Sequence, residues 1–239
     1  MADIAFACAE VASARGFSAA LHIGYGADLE PGRFDGVVVL GNPPAGATHP
    51  RLLDGSVPVV EICGTLTACQ VHVDDFGGSR KGVQHLFSLG HRRIAHYAGP
   101  QSEPAHQERL RGFLDAVLES GLRMDATPVV HSEADLAAVL HNAARPTALL
   151  TYNDDAAILV YRYSREIGLS LPVDLSIVGF DDEAFAGVVD PPLTALHVAP
   201  EMVAGSAFAL LERQFAREEV PSQTLVPTSL VVRASTVSR

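Results

Sequence analysis

The sequence contains no tryptophan and few aromatic residues, which limits what its core can be built from. Only 6% of its 239 residues are aromatic, whereas 48% belong to the wider hydrophobic class. The charged fraction of 19% lies far below that of chains too polar to fold. We therefore expect an ordered protein whose core consists mainly of Ala, Val, Leu and Ile.

Basic residues are also scarce, which bears on nucleic-acid binding. The chain has 17 Lys and Arg against 28 Asp and Glu, and its formal net charge is -11 at pH 7. Proteins that bind nucleic acid through phosphates usually carry a basic patch. The longest basic cluster is His91-Arg92-Arg93. It can be a DNA contact or the cap of a helix C-terminus, and the lack of other basic residues favours the cap.

The cysteine content and the lack of long apolar runs indicate the compartment. The three cysteines, Cys8, Cys63 and Cys69, have irregular spacing and form no C-x-x-C motif, which is typical of a reducing compartment. No signal peptide is visible, and no run reaches the roughly 18 apolar residues of a membrane helix. These absences predict a cytoplasmic protein without membrane contact. Cys63 can be a nucleophile or, more commonly for a free cysteine, a small buried hydrophobe.

Known catalytic motifs are missing as well. The sequence contains neither G-x-S-x-G, nor a phosphate-binding P-loop, nor H-E-x-x-H, and its ten histidines are dispersed. Residues 24–26 (G-Y-G) lack the third glycine of a dinucleotide loop and are interpreted as a turn. We therefore expect no catalytic residues, no metal site and no cofactor.

Short apolar runs alternate with helical patterns along the chain. Strands are predicted at residues 19–23, 36–40, 57–62, 71–73, 94–98, 128–131, 147–151, 175–180, 225–226 and 230–232, and helices at 2–15, 78–89, 105–120, 134–144, 155–167 and 202–217. This pattern predicts an α/β fold with two doubly wound parallel-sheet lobes, and the G-P-Q-S-E segment at residues 99–103 marks the boundary between them. Open sheets bind ligands beyond the carboxyl ends of their strands, so we expect a ligand cleft between the lobes.

Acidic pairs stand where three of the predicted strands end. They are Asp74-Asp75, Asp154-Asp155 and Asp181-Asp182. Carboxylates in such places can accept hydrogen bonds from sugar hydroxyls or bind cations, and they can also cap helices. Capping is favoured for Asp74 and Asp75, whereas both roles can coexist for Asp154. Arg109 stands in a first helical turn that disfavours cations, so it is either a ligand contact or a solvated side chain.

Several motifs, in this order and spacing, resemble the LacI/GalR family of bacterial transcription regulators from about Arg15 onward. They are V-D-D-F-G-G (73–78), H-L-x-x-L-G-H-R-R-I-A (85–95), A-G-P (98–100), R-L-R-G-F (109–113), P-T-A-L-L-T-Y-N-D-D-A-A (146–157), G-L-S-L-P-V-D-L-S-I-V-G-F-D-D (168–182), D-P-P-L-T (190–194) and L-V-V-R-A-S-T (230–236). The resemblance implies two lobes of the periplasmic-binding-protein type, with crossings near Gly99, His197 and Pro227. The N-terminal lobe then comprises residues 1–99 with 198–226, and the C-terminal lobe comprises 100–197 with 227–239.

The resemblance also implies a site and partners. Arg109 and Asp154 match family positions that contact a small effector, often a sugar or a nucleoside, and Asp181, Asp182 and Tyr152 line the same region. The family acts as homodimers that bind operator DNA. This chain lacks the helix-turn-helix, the hinge helix and the first strand of the N-terminal lobe, so DNA would be bound through a segment missing here.

Other departures from the family concern the ligand. Cys63 and Val198 stand where the family often has Asp and Gln, and residues 131–136 lack the usual aromatic residue, which indicates an atypical or less polar ligand. We predict the effector-binding, dimerising core of a LacI-type regulator, a repressor. The alternatives are a stand-alone sugar-binding protein and an enzyme on the same scaffold. The missing signal peptide argues against the first, and the lack of an acid-base pair argues against the second.

Overall fold

The computed structural model describes residues 1–21, 33–41, 55, 57–65 and 67–239. Its helices are α1 (Ala2–Ala14), α2 (Asp75–Ser88), α3 (Pro104–Glu119), α4 (Glu133–His141), α5 (Asp154–Glu166) and α6 (Pro200–Phe215). Its strands are β1 (Val37–Leu40), β2 (Val59–Ile62), β3 (Gln70–Val73), β4 (Ile94–Tyr97), β5 (Val129–Val130), β6 (Ala148–Thr151), β7 (Ser176–Asp181), β8 (Thr194–His197), β9 (Gln223–Val226) and β10 (Ser229–Val231). Of the strand predicted at residues 19–23, only 19–21 are described, and they are not in a strand. The turn predicted at residues 24–26 lies outside the described residues.

The chain divides into two compact units, each made of two segments. Unit 1 comprises Met1–Val73 and Ala199–Val226, and unit 2 comprises Asp74–Val198 and Pro227–Arg239. The first crossing differs from the boundary expected near Gly99. Because β4 pairs with β5 and β6, and α2 packs against α3, residues 74–99 belong to unit 2 and not to the N-terminal lobe.

The described residues of unit 1 form a four-stranded sheet in the order β1-β2-β3-β9, in which every pair of neighbours is parallel. Helices α1 and α6 pack against each other, and α6 also contacts β2 and β3. Phe17 joins this core, since its ring centroid lies 5.9 Å from that of Phe208 and 6.0 Å from that of Phe215. Val60 and Val71 have no exposed surface, as expected for strands that helices cover.

Unit 2 contains a six-stranded sheet in the order β10-β8-β7-β6-β4-β5. All its pairs are parallel except the one between β10 and β8 at the edge. Leu149 and Leu150 are fully buried although they point to opposite faces of the sheet. Leu149 packs in the core with α5, whereas Leu150 lies against Gly82 of α2. The expected α/β class with parallel sheets is confirmed, with one antiparallel edge strand added.

The C-terminal segment completes unit 2. Strand β8 was not predicted from the sequence, yet it lies inside the sheet between β7 and β10. The hydroxyl of Ser235 donates to the carbonyl of Ile177 at 2.6 Å and accepts the N–H of Thr194 at 2.8 Å. Ser235 has no exposed surface, so these bonds join residues 227–239 to two central strands.

The helix ends account for several polar residues. Oδ1 of Asp74 accepts the N–H of Gly77 at 2.8 Å, so Asp74 caps α2 as predicted. Nη1 of Arg92 donates to the carbonyl of Phe87 in the last turn of α2 at 3.0 Å, which fits the capping interpretation of the basic cluster. Burial lowers the pKa of His91 to about 4, so this residue adds no charge at neutral pH. Within the described part of the chain, no helix is both long and apolar enough to cross a membrane.

Candidate functional site

Four neighbouring strands of unit 2 end at the same edge of the sheet. Because β4, β6, β7 and β8 are parallel, the residues that end or follow them lie side by side. Tyr152 follows β6, Asp181 ends β7 with Asp182 directly after it, and His197 ends β8. Asp154 opens α5 at the same edge. The structure therefore brings the residues predicted from separate stretches of the sequence to one edge of unit 2.

Arg109 on α3 is held by protein groups on several sides. Its Nε donates to Oδ1 of Asp75 at 2.7 Å, and its Nη2 lies 3.2 Å from Oδ1 of Asp181. Its Nη1 donates to the carbonyl of Tyr152, and the guanidinium carbon lies 3.7 Å from the ring centroid of Phe180. Only 7% of the residue is exposed, so Arg109 is not a solvated side chain.

The charges around Arg109 explain why a cation is tolerated in the first turns of α3. Burial alone would lower the pKa of Arg109, but the carboxylates of Asp75 and Asp181 outweigh burial and raise that pKa. The helix-capping role favoured for Asp75 from the sequence is wrong, because Asp74 makes the cap and Asp75 pairs with Arg109. Asp75 is separated from Arg109 by 34 residues, so a pattern of neighbouring residues in the sequence does not predict this ion pair.

Asp181, the last residue of β7, and Asp182 directly after it form a turn with unusual backbone geometry. The φ angles of Asp181 and Asp182 are 102° and 61°, both in the region that side chains disfavour. Oδ1 of Asp182 accepts from Nη1 of Arg233 at 2.6 Å, and its Oδ2 lies 3.1 Å from Nδ1 of His197. The side chain of Asp182 is 9% exposed, whereas that of Asp181 is 33% exposed. Asp181 is therefore the carboxylate of this turn that a ligand can reach.

Asp154 differs from the other predicted residues because its side chain is completely buried. Its Oδ2 accepts the backbone N–H of Glu183 at 2.8 Å, while Asn153 makes the cap of α5 by accepting from Ala156 at 2.9 Å. Burial raises the pKa of Asp154 to about 7, and nearby Asp181 adds to this rise. Asp154 thus supports the turn from inside the protein and presents no surface to a ligand in this conformation.

Tyr152 places an aromatic ring beside the charged groups. Its ring is half-buried and lies edge-on to Tyr97, with centroids 5.3 Å apart, and 4.7 Å from the ring of His106. Sequence reasoning gave no role to Tyr97 or His106, nor to Arg233 and His197 beside Asp182. Arg233 is part of the L-V-V-R-A-S-T motif at residues 230–236, and that motif was the one signal in the sequence that could have pointed to this residue.

This edge of the sheet offers a partly exposed carboxylate at Asp181 and an aromatic ring at Tyr152, with the paired cation of Arg109 buried beside them. Carboxylates accept hydrogen bonds from hydroxyl groups, and a guanidinium donates several in a fixed plane. Among the described residues, no group of three or more His, Cys, Asp or Glu is arranged to hold a metal ion. The arrangement suits the binding of a small molecule that carries several hydroxyl groups.

Comparison with known proteins agrees with the motifs. Residues 83–236 match the periplasmic binding protein-like domain family. The chain is 32% identical to the HTH-type transcriptional regulator CelR of Thermobifida fusca over 69% of this chain and 51% of CelR. It is 34% identical to an uncharacterized HTH-type transcriptional regulator of Streptomyces limosus over 87% of this chain and 64% of that protein. The chain therefore spans between about half and two thirds of the length of these relatives.

A solved structure agrees in fold over nearly the whole chain. The transcriptional regulator CelR in complex with cellobiose superposes with a TM-score of 0.78 at 28% identity, covering 98% of this chain and 78% of that one. The family match over residues 83–236 includes Arg109, Asp154 and the Asp181-Asp182 pair at the edge of the unit 2 sheet. The chain belongs to the LacI/GalR family of transcriptional regulators, and its fold is that family's periplasmic-binding-protein-like core.

Proposed function

We propose that this chain is the effector-binding core of a LacI-type transcriptional regulator, a repressor, and that its effector is a carbohydrate or a nucleoside. The observation that carries the proposal is the convergence of Arg109, Asp181, Asp182 and Tyr152 at one edge of the unit 2 sheet. A stand-alone sugar-binding protein is the weaker alternative, because the relatives found are transcription regulators.

The proposed contacts follow from the exposure of each group. Asp181 accepts hydrogen bonds from ligand hydroxyls, since a third of its side chain is exposed and only one of its oxygens faces Arg109. Arg109 orients Asp181 from beneath, since its Nε and both Nη atoms are bonded to protein groups. Tyr152 packs against the apolar face of the sugar or base. Asp182 and Asp154 contribute by fixing the turn on which Asp181 stands.

A carbohydrate is supported further by CelR, which has been solved with cellobiose bound. Ring hydroxyls and the C–H face of a sugar match the carboxylate and the aromatic ring respectively. The ribose of a nucleoside offers the same hydroxyl chemistry, and its base offers a flat face to Tyr152. The whole regulator is proposed to act as a homodimer and to bind operator DNA through a segment outside these 239 residues.

Thermal unfolding in the presence of candidate ligands tests the effector proposal. Cellobiose, glucose, ribose, adenosine and cytidine are added at millimolar concentration to the 239-residue chain. A ligand present at 100 times its Kd stabilises the folded state by about 2.7 kcal/mol, which gives a clear rise in Tm. We expect at least one of them to raise the Tm.

Two variants locate the binding. Asp181→Asn keeps an oxygen that can accept from Arg109 but removes the charge, and it should weaken the ligand-induced rise in Tm. Asp125→Asn changes a carboxylate whose side chain is 65% exposed and which precedes β5, away from the carboxyl ends of the strands, and it should leave that rise unchanged. A rise that Asp181→Asn leaves intact would remove this edge of the sheet from the proposal. No response to any sugar or nucleoside would count against the effector class.

A further inference from the structure

The buried carboxyl of Asp154 has one partner and one oxygen without any. Oδ2 accepts the backbone N–H of Glu183 at 2.8 Å. Oδ1 has no hydrogen-bond partner among the residues that the structure describes. It points at Gly179 on β7, where a Cβ atom would lie only 2.1 Å away. A carboxyl group in this position is costly to charge, because burial removes water without supplying a second hydrogen bond.

The charges nearest to Asp154 are of its own sign. Asp181, Asp182 and Glu183 form what we call the acidic turn, residues 181–183, directly opposite the start of α5. Arg109 pairs with Asp181 and Arg233 pairs with Asp182, and among the described residues neither cation contacts Asp154. An ionised Asp154 therefore adds a further negative charge beside the acidic turn.

Other titratable groups face Asp154 from its own helix and from the sheet. On α5, the phenol of Tyr161 feels the charge of Asp154, but its own pKa is raised to about 12, so it stays neutral near pH 7. At the end of β8, His197 contacts Asp182. On α3, His106 acts on Asp181, so both histidines also bear on the acidic turn. Asp154 differs from them because its buried side chain bonds to the backbone of the turn at Glu183.

We propose that Asp154 is a positioning residue, and that one proton on its buried carboxyl sets how firmly the acidic turn is held. With the proton on Oδ1, the carbonyl oxygen Oδ2 still accepts from Glu183, and the repulsion between Asp154 and the turn disappears. Without the proton, the N–H of Glu183 bonds to a charged acceptor, which favours the ionised form, but the added charge repels Asp181 and Asp182, and in our proposal this repulsion outweighs the stronger bond. The turn is then tighter below neutral pH and looser above it.

The pKa of Asp154, which burial raises to about 7, puts this change in the range of pH that a cell experiences. The consequence for ligand binding rests on the proposed function, because it assumes that Asp181 contacts the effector. The state of the turn itself is independent of any ligand. It can be measured on the free protein, so this inference can fail while effector binding stands, and the reverse also holds.

The test follows one carboxyl and one amide in the ligand-free 239-residue chain. The carboxyl carbon of Asp154 is titrated by NMR between pH 4 and 9, and hydrogen exchange of the Glu183 amide is measured over the same range and corrected for its intrinsic pH dependence. We expect the carboxyl to titrate with a midpoint near 7. We also expect protection of the Glu183 amide to fall severalfold across that midpoint.

Asp154→Asn mimics the protonated form and should keep the Glu183 amide protected at every pH, without the transition. Asp155→Asn, the matched change one residue later on an exposed side chain, should show the transition of the original protein. A carboxyl midpoint close to 4, the usual value for aspartate, would overturn the proposal. Equal protection of Glu183 below and above the midpoint would also overturn it, and both measurements on the unmutated chain decide this even if Asp154→Asn does not fold.

Discussion

Gly179 and Asp154 fit together so closely that any side chain at the glycine would displace the carboxyl. A Cβ atom on Gly179 would lie 2.1 Å from Oδ1 of Asp154 and 2.8 Å from a methyl carbon of Leu193. Both distances are shorter than non-bonded atoms allow. β7 therefore requires a glycine at position 179, because a residue without a side chain leaves room for the carboxyl of Asp154, which bonds to the acidic turn.

Gly179→Ala should lower the free energy of unfolding by about 1–3 kcal/mol, the usual cost of overpacking a core. Gly187→Ala provides the control, because no atom lies within 4 Å of the Cβ added there, and it should cost less than about 0.5 kcal/mol. Urea denaturation measures both. Combining Gly179→Ala with Asp154→Ala should cost less than the sum of the single changes, and strict additivity would show that the carboxyl is not what the new methyl group strikes.

Arg109→Ala should destabilise the chain even without ligand, by about 3–5 kcal/mol. The change leaves the carboxylate of Asp75 buried beside no cation, and breaking a buried pair in this way is costly. Arg162→Ala is the matched control, because its side chain is 62% exposed and its carboxylate partners are 3.9 Å away. If both variants unfold at the same urea concentration, Arg109 has no structural role and acts only on ligands.

Acid should destabilise the chain through His96. Its ring is fully buried, stacks on Phe113 and donates from Nδ1 to the carbonyl of Leu150 at 3.0 Å. Burial lowers the pKa of His96 from 6.5 to about 4. Between these values the unfolded chain binds a proton that the folded chain does not, so stability falls by up to about 3 kcal/mol as pH drops from 6.5 to 4.

Urea denaturation at several pH values in this range checks the contribution of His96. His96→Leu should remove the share of the pH dependence that His96 contributes, while His91, whose pKa is likewise lowered to about 4, keeps its own share. A change at the exposed His141 should leave the pH dependence as it is. Asp154 acts in the opposite direction, because its stabilising contribution is complete below the ordinary aspartate pKa and is lost as pH rises to about 7. The comparison is therefore clearest in an Asp154→Asn background, and an unchanged slope in His96→Leu would contradict the assignment.

The 239-residue chain should not bind duplex DNA tightly. Its net charge is -11, His91 is uncharged at neutral pH, and Arg92 is engaged with the end of α2. A fluorescence anisotropy titration with a mixed-sequence duplex at low and moderate salt checks this. Tight binding that weakens steeply with salt would contradict it, because that dependence reports phosphate contacts.

Most elements could be predicted because the apolar runs that form them are short and continuous. Strands β2, β4, β6 and β7 are buried on both faces, and their Val, Ile, Leu and Ala residues report this directly. Strand β8 escaped prediction because T-A-L-H contains no such run and follows two prolines. The first crossing was predicted near Gly99 because residues 99–103 are rich in turn-forming residues, whereas the structure has it between Val73 and Asp74. The composition of α2 does not reveal which of the two sheets this helix covers.

The site shows a similar limit. The sequence placed acidic residues at strand ends, and those positions meet because the strands are parallel. It could not show that Asp75 pairs with Arg109, or that Arg233 reaches Asp182 from 51 residues away. Such contacts depend on how separate segments fold together. The resemblance to the family identified Asp154, but its complete burial, on which we base the proposed positioning role, needed the structure.

The way residues 227–239 enter unit 2 affects how the protein is made. Ser235 bonds to Ile177 and Thr194, so the sheet of unit 2 lacks an edge strand and two buried hydrogen bonds until that segment is available. During synthesis, residues 74–198 leave the ribosome well before their last strand does. Until that strand is synthesised, unit 2 can be only partly ordered and has an open sheet edge. We expect chaperones to matter most at this stage of synthesis.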